Sequence, residues 1–218
     1  MITMYKAVIF DLDGTLLNTL GDLHAAVNHA LRSFSFPERS IDEVRSFIGN
    51  GVVKLMERST PENTDKKTNS DCLDVFRAYY LMHMQDMTAP YEGVCELIET
   101  LRKKGIKTAV VSNKLHQAVY ELCLDFFPGL IDEAIGVSNE SERKPSPVNV
   151  YKALEKLGVS AEECIYIGDS EIDVQTAHNA GMKCIGVPWG FRDRCELEKA
   201  GADLIADTCD KVLSLFFN

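Results

Sequence analysis

From Tyr91 onward, short apolar runs alternate with stretches whose apolar residues recur every three or four positions. Val94, Leu97, Ile98 and Leu101 mark one helix face that stops at Gly105, and residues 106–111 then read as a buried strand. Residues 134–137 predict a shorter strand, 148–157 a helix, 164–167 a strand, 172–180 a helix and 184–187 a strand. Residues 204–206 and a last helix through Phe217 follow. Upstream, residues 7–10 supply one more continuous apolar run. Strands that are apolar throughout, separated by helices, predict a parallel sheet covered on both faces. In such sheets the site lies beyond the carboxyl ends of the strands.

The segment between the first strand and Tyr91 follows a different period. Leu20, Leu23, Val27, Leu31 and Phe34 step at helical spacing behind Thr19, a candidate N-cap, and residues 52–57 and 73–83 continue without strand signals. The polar stretch 60–71 reads as a surface loop. The predicted fold is therefore α/β, a Rossmann-like parallel sheet core with an inserted α-helical domain. Residues 1–15 and 87–218 form the core, and 16–86 the insertion. No internal repeat or low-complexity tract is visible.

Composition narrows the partners. The 218 residues carry a net charge of -10, which argues against nucleic acid or an anionic membrane as the main partner. An anionic substrate then has to be drawn in by a local positive centre. No apolar run approaches the ~20 residues of a membrane helix. The seven cysteines form no Cys-x-x-Cys pair, and with no signal peptide they read as reduced thiols of a cytoplasmic protein.

The first strand delivers Asp11-Leu12-Asp13 into Gly14-Thr15, so that two carboxylates face one site. Two carboxylates ~4 Å apart repel by about 4 kcal/mol at an effective dielectric near 20, a cost that persists where a cation or a reaction uses it. A polar exit from the strand would explain any single Asp there, and explains the pair less well. Three further polar motifs stand at later strand ends or in the loops between them. Val110-Val111 runs into Ser112-Asn113-Lys114, where a hydroxyl and free N–H groups make either an oxyanion corner or a plain helix cap. Arg143-Lys144-Pro145 precedes a helix, and its lysine is either functional or a solvated charge. Ile165-Tyr166-Ile167 ends in Gly168-Asp169-Ser170, followed by Asp173, two acids that either join a metal site or cap a helix.

In this order, Asp11–Thr15, Ser112-Asn113, Lys144-Pro145 and Gly168-Asp169-Ser170 with Asp173 resemble the four motifs of the haloacid dehalogenase superfamily, in its phosphatase branch. The resemblance covers essentially the whole chain, and it implies that the α-helical insertion, residues 16–86, is a cap domain. Residues 44–52 and the Asp22-Leu23 to Ala30-Leu31 helix look most like the phosphoglycolate phosphatases. Asn18-Thr19 departs from the Asp-Ser of many relatives, at the hinge rather than in the chemistry. The resemblance implies an aspartyl-phosphate on Asp11, with Asp13 as general acid and base. Asp13 would then need its pKa raised locally, and a carboxylate neighbour has the right sign to do so. It also implies Mg2+ held by Asp11, Asp13 (through its backbone carbonyl), Asp169 and Asp173, and a phosphoryl group held by Ser112, Asn113 and Lys144.

The implied activity is a magnesium-dependent phosphomonoester hydrolase, with 2-phosphoglycolate as favoured substrate. A pyrophosphatase, another small-metabolite phosphatase or a beta-phosphoglucomutase-like enzyme would use the same core. A phospho-aspartate signalling module is the non-enzyme alternative, but it carries its acceptor Asp on a central strand of a shorter chain without a cap. No Cys-x5-Arg and no P-loop occur, and the five histidines have no ligand-spaced partners. In the cap, the Gly49-Asn50-Gly51 turn is flanked by Arg45, Lys54 and Arg58, which either recognise a substrate carboxylate or form a solvated basic face. The expected partner is a small phosphorylated metabolite, with the chain a monomer or homodimer.

Overall fold

The computed structural model describes residues 5–217. The chain divides into two compact units, one built from the segments up to Leu17 and from Pro90 onward, the other from Asn18–Ala89. Strand β1 (Ala7–Phe10) is followed by the short β2 (Leu17–Asn18), which pairs with β3 (Ala89–Pro90) where the chain leaves and re-enters the sheet unit.

The Asn18–Ala89 unit is helical: α1 (Leu20–Ser33), α2 (Ile41–Phe47), α3 (Gly51–Ser59) and α4 (Lys66–His83). Helix α1 packs along α4, burying Leu23, Ala26, Val27 and Leu31 together with Cys72, Leu73, Phe76 and Tyr80. Two local expectations change. Thr19 precedes α1 without capping it: its hydroxyl is buried with no hydrogen-bond partner, while the Leu20 N–H donates to Asn18 Oδ1 at 3.3 Å. The polar stretch 60–71 is a loop only as far as Asp65, because Asp65 caps α4 by accepting from the Lys67 and Thr68 N–H groups at 2.9 and 3.1 Å. Helix α2 has a full capping box between Ser40 and Glu43. Asp22 is 2% exposed and accepts from the backbone N–H groups of Met87 and Thr88, each at 2.9 Å, and from the Thr88 hydroxyl at 2.8 Å.

In the sheet unit the remaining elements alternate. They are α5 (Val94–Lys103), β4 (Lys107–Leu115), α6 (His116–Phe126), β5 (Glu133–Val137), α7 (Val148–Leu157), β6 (Cys164–Gly168), α8 (Glu171–Asn179), β7 (Lys183–Gly186), α9 (Arg194–Ala200), β8 (Leu204–Ile205) and α10 (Cys209–Phe217). The six-stranded sheet runs β5-β4-β1-β6-β7-β8, and every neighbouring pair is parallel. Strand β1 is central and all four of its residues are fully buried, as its unbroken apolarity requires. Ala7 and Ile9 share a face with Ala109, Val111 and Tyr166, closed over by Val150 and Leu154 of α7 and Val174 and Ala177 of α8. Helix α5 packs on β4, and α10 on α5. Helix α9, which the apolar pattern does not predict, starts from a capping box between Asp193 and Glu196.

Register is what brings the polar motifs together. Phe10 pairs with Val110 on one side and Ile167 on the other, so the residues after all three leave the sheet at one level. Strand β4 runs on through Ser112 and Asn113 to Leu115, beyond the expected end at Val111. All seven cysteines are free thiols, and burial pushes those of Cys123 and Cys164 up to about 12, which makes them packing residues. No helix among the described residues is long and apolar enough to cross a membrane.

Candidate active site

Asp11 follows β1, and its N–H donates to the Ile167 carbonyl at 2.9 Å, which continues the ladder to β6 by one residue. Its carboxylate Oδ1 lies 2.8 Å from the Lys144 ammonium but accepts no aligned hydrogen bond. The same ammonium is 2.6 Å from Asp173 Oδ1. Asp173 Oδ2 in turn accepts from the Ser170 hydroxyl at 2.5 Å and the Ser170 N–H at 3.1 Å. Both oxygens of Asp173 are thus engaged, and as arranged it orients Lys144.

Asn113 works on the same lysine. Its Oδ1 accepts from the Lys144 N–H at 2.7 Å and its Nδ2 donates to the Lys144 carbonyl at 3.3 Å, so the side-chain amide clamps the loop. Ser112 is 2% exposed, and its hydroxyl accepts from the Lys114 N–H at 3.3 Å. Tyr166 is buried beneath this group, donates to the Val111 carbonyl at 3.1 Å, and lies 3.4 Å from both Lys144 Nζ and Asp173 Oδ1.

Asp169 follows β6 and is equally fixed. The Thr15 hydroxyl donates to its Oδ1 at 2.9 Å and the Phe191 N–H to its Oδ2 at 2.8 Å. Two glycines leave the room it occupies. A Cβ on Gly14, whose φ is +89°, would stand 2.3 Å from Asp169 Oδ2, and one on Gly190 would stand 2.5 Å from it. Trp189 ties that second loop to the first, its indole N–H donating to the Thr15 carbonyl at 3.0 Å.

Carboxylate oxygens of Asp11, Asp169 and Asp173 all lie within 4.8 Å of one another, and all three residues are buried. Burial first, then the charge of Asp173, pushes Asp11 up to about 7 against the pull of Lys144. Burial and the charges of Asp173 and Asp11 likewise raise Asp169. Burial works against the Lys144 ammonium, but Asp11 and Asp173 outweigh it and hold its pKa well above the ordinary lysine value. Three carboxylates facing one ammonium leave uncompensated negative charge in a dry place. An all-oxygen donor set with a hydrogen-bonding vacancy on Asp11 Oδ1 fits a hard divalent cation.

Asp13 is placed apart from this cluster, with Oδ1 2.8 Å from the Lys114 ammonium. Lys114, Thr15 and Tyr166 were given no role from sequence, and the Trp189–Phe191 loop was not singled out; of these Lys114 carried a readable signal, a charge two residues after Ser112 where the apolar run of β4 has ended.

The Gly49-Asn50-Gly51 turn lies in the helical unit, where α2 gives way to α3. Gly49 and Gly51 have φ of 123° and 78°, which only glycine adopts at little cost. Arg58 holds the turn, donating to the Phe47 carbonyl at 2.8 Å and to Asn50 Oδ1 at 2.7 Å. Lys54 pairs with Glu57 at 2.5 Å, and Arg45 is exposed.

An Asp-bearing central strand with its acids and a lysine at the carboxyl edge puts the chemistry where parallel sheets carry their sites. The sequence signature of the haloacid dehalogenase-like hydrolases matches residues 8–187, and the chain belongs to that family. Within it the protein is a phosphatase, most like the phosphoglycolate phosphatases. It is 35% identical over 188 residues to the phosphoglycolate phosphatase of Aquifex aeolicus, covering 85% of this chain and 86% of that one. The phosphoglycolate phosphatase of Haemophilus influenzae (strain 86-028NP) is 32% identical over 99% of this chain and all of its own. A crystal structure from Lactobacillus delbrueckii subsp. bulgaricus, provisionally assigned as a phosphoglycolate phosphatase, superposes with a TM-score of 0.93 at 38% identity over 98% of each chain.

Proposed function

We propose that the protein is a magnesium-dependent phosphomonoester hydrolase working through an aspartyl-phosphate on Asp11, with 2-phosphoglycolate as its favoured substrate. The observation that carries the chemistry is the buried Asp11 carboxylate, set against the Lys144 ammonium at 2.8 Å with Asp13 two residues on. Asp11 attacks phosphorus and the ester P–O bond breaks, with Asp13 donating a proton to the departing alkoxide oxygen. Asp13 then takes a proton from the water that attacks the acyl-phosphate phosphorus, which returns Asp11 and releases inorganic phosphate. Lys144 and Ser112 hold phosphoryl oxygens, Asn113 and Asp173 keep Lys144 in place, and acid–base assistance of this kind contributes about 10²–10⁴-fold. Asp11 and Asp169 would hold Mg2+ with the Asp13 carbonyl; when bound, the ion supplies the positive charge that lets Asp11 stay ionised beside an anionic phosphoryl group. The helical unit takes the cap's part, with the Gly49-Asn50-Gly51 turn as its substrate-reading element.

Support for the substrate comes from relatives bearing that name over nearly their whole length. The test is phosphate release from 2-phosphoglycolate, pyrophosphate and sugar phosphates, with Mg2+ and with chelator. The expected result is a kcat/KM for phosphoglycolate above that for every other ester, abolished by chelator and by Asp11→Asn. A ratio below one removes this substrate; full activity in chelator removes the metal.

A further inference from the structure

We propose that Lys114 is a positioning residue for the acid–base carboxylate: its ammonium, presented from the end of β4, holds Asp13 where it meets the departing ester oxygen. This rests on the phosphatase reading above. Asp13 has a side chain 16% exposed, and its carboxylate turns about two bonds unless something holds it. Lys114 Nζ stands 2.8 Å from its Oδ1, and the lysine side chain is 5% exposed. Keeping an ammonium out of water is costly unless it is paired, so a lysine at a strand end that lies inward does so for a partner.

The two buried ammoniums divide the work. Lys144 serves Asp11 and Asp173, and Lys114 serves Asp13, so nucleophile and acid are fixed by separate cations. Ser112 and Lys114 are both buried at the end of β4, with Asn113 between them turned to the Lys144 loop. Ser112 in turn accepts from the Lys114 N–H at 3.3 Å, which ties the lysine backbone to a phosphoryl-binding hydroxyl. Misplacing a catalytic group by about 1 Å costs on the order of 10²-fold in rate.

The test compares two esters on the same samples of Lys114→Met and Lys114→Gln, so that the ratio is independent of the folded fraction. One is an alkyl phosphate, 2-phosphoglycolate or glycerol phosphate, whose leaving oxygen needs a proton. The other is p-nitrophenyl phosphate, whose leaving group does not. Because kcat/KM covers steps up to departure of the leaving group, it should fall about 100-fold for the alkyl ester and less than about tenfold for the aryl ester. In an Asp13→Asn background, Lys114→Met should add less than about threefold. Equal losses on the two esters, a shared rise in KM at unchanged kcat, or losses that multiply fully with Asp13→Asn would each overturn the role of Lys114. A parent protein inactive on both esters would overturn instead the reading on which the role depends.

Discussion

Replacing Asp11 by Asn should make the metal-free protein more stable, and increasingly so as pH rises. Asp11 is raised from an ordinary 3.8 to about 7 by burial and by the charge of Asp173. The folded chain therefore keeps this proton at pH values where the unfolded chain has released it. With more protons bound in the folded state, stability falls as pH rises from about 4 to about 7 and stays low above that. Integrated between those two values, the ionisation of Asp11 costs the fold about 2 kcal/mol at pH 5 and about 4 kcal/mol at pH 8. An amide of the same shape escapes this cost. At pH 5 folded Asp11 is protonated and makes no ion pair, and at pH 8 the pull of Lys144 is already contained in the value of about 7, so the difference grows by about 2–3 kcal/mol from pH 5 to pH 8. For a chain of this size it corresponds to about 5–10 °C in the gap between melting temperatures. The assay is thermal unfolding of parent and Asp11→Asn in chelator at both pH values. A gap that stays constant with pH, or a variant less stable than the parent at pH 8, refutes the reasoning.

Three further outcomes follow from the same geometry. Binding of Mg2+ should release protons from Asp11 and Asp169, so its affinity should climb between pH 5.5 and 8; titration calorimetry in two buffers of different ionisation heat reads the proton count directly. Gly190→Ala places a Cβ 2.2 Å from the Gly14 carbonyl and 2.5 Å from Asp169, and should cut kcat by at least about 100-fold, measured on protein whose far-ultraviolet circular dichroism is unchanged. Asp22→Ala strips the buried acceptor from the Met87 and Thr88 N–H groups and should destabilise the helical unit by about 2–4 kcal/mol in urea unfolding.

The parallel sheet was legible because its strands are buried on both faces and therefore apolar without interruption, as β1 shows. The motif residues were legible because they break that apolarity at its carboxyl edge. Hidden from the sequence was the division of labour among them. The sequence places Asn113 beside the phosphate but does not show that its amide also pairs with the Lys144 backbone, a partner 31 residues away. Asp173 stands in the acid cluster as its place in the motif implies, but its pairing with Lys144 and Ser170 could not be read from the sequence. Capping is local, yet Thr19 and Asp65 show how weakly residue type alone decides it: the threonine with the better position makes no bond, and the aspartate inside a polar run starts an 18-residue helix. Arg58 looks like a free cation beside a glycine turn, and is the brace of that turn.

The socket around Asp169 has a consequence for how this site would look in a saturation mutagenesis map. Its walls are absences: Gly14 and Gly190 each stand where one methyl group would strike the carboxylate, and Gly168 stands likewise against Asp173, 2.3 Å from its Cβ. None of the three has a functional group, yet each should tolerate fewer replacements than Ser112, whose hydroxyl threonine would reproduce. Ranked by intolerance alone, the map would place three glycines among the chemistry. The steric outline of the acids, as much as the acids themselves, is what such a screen would recover.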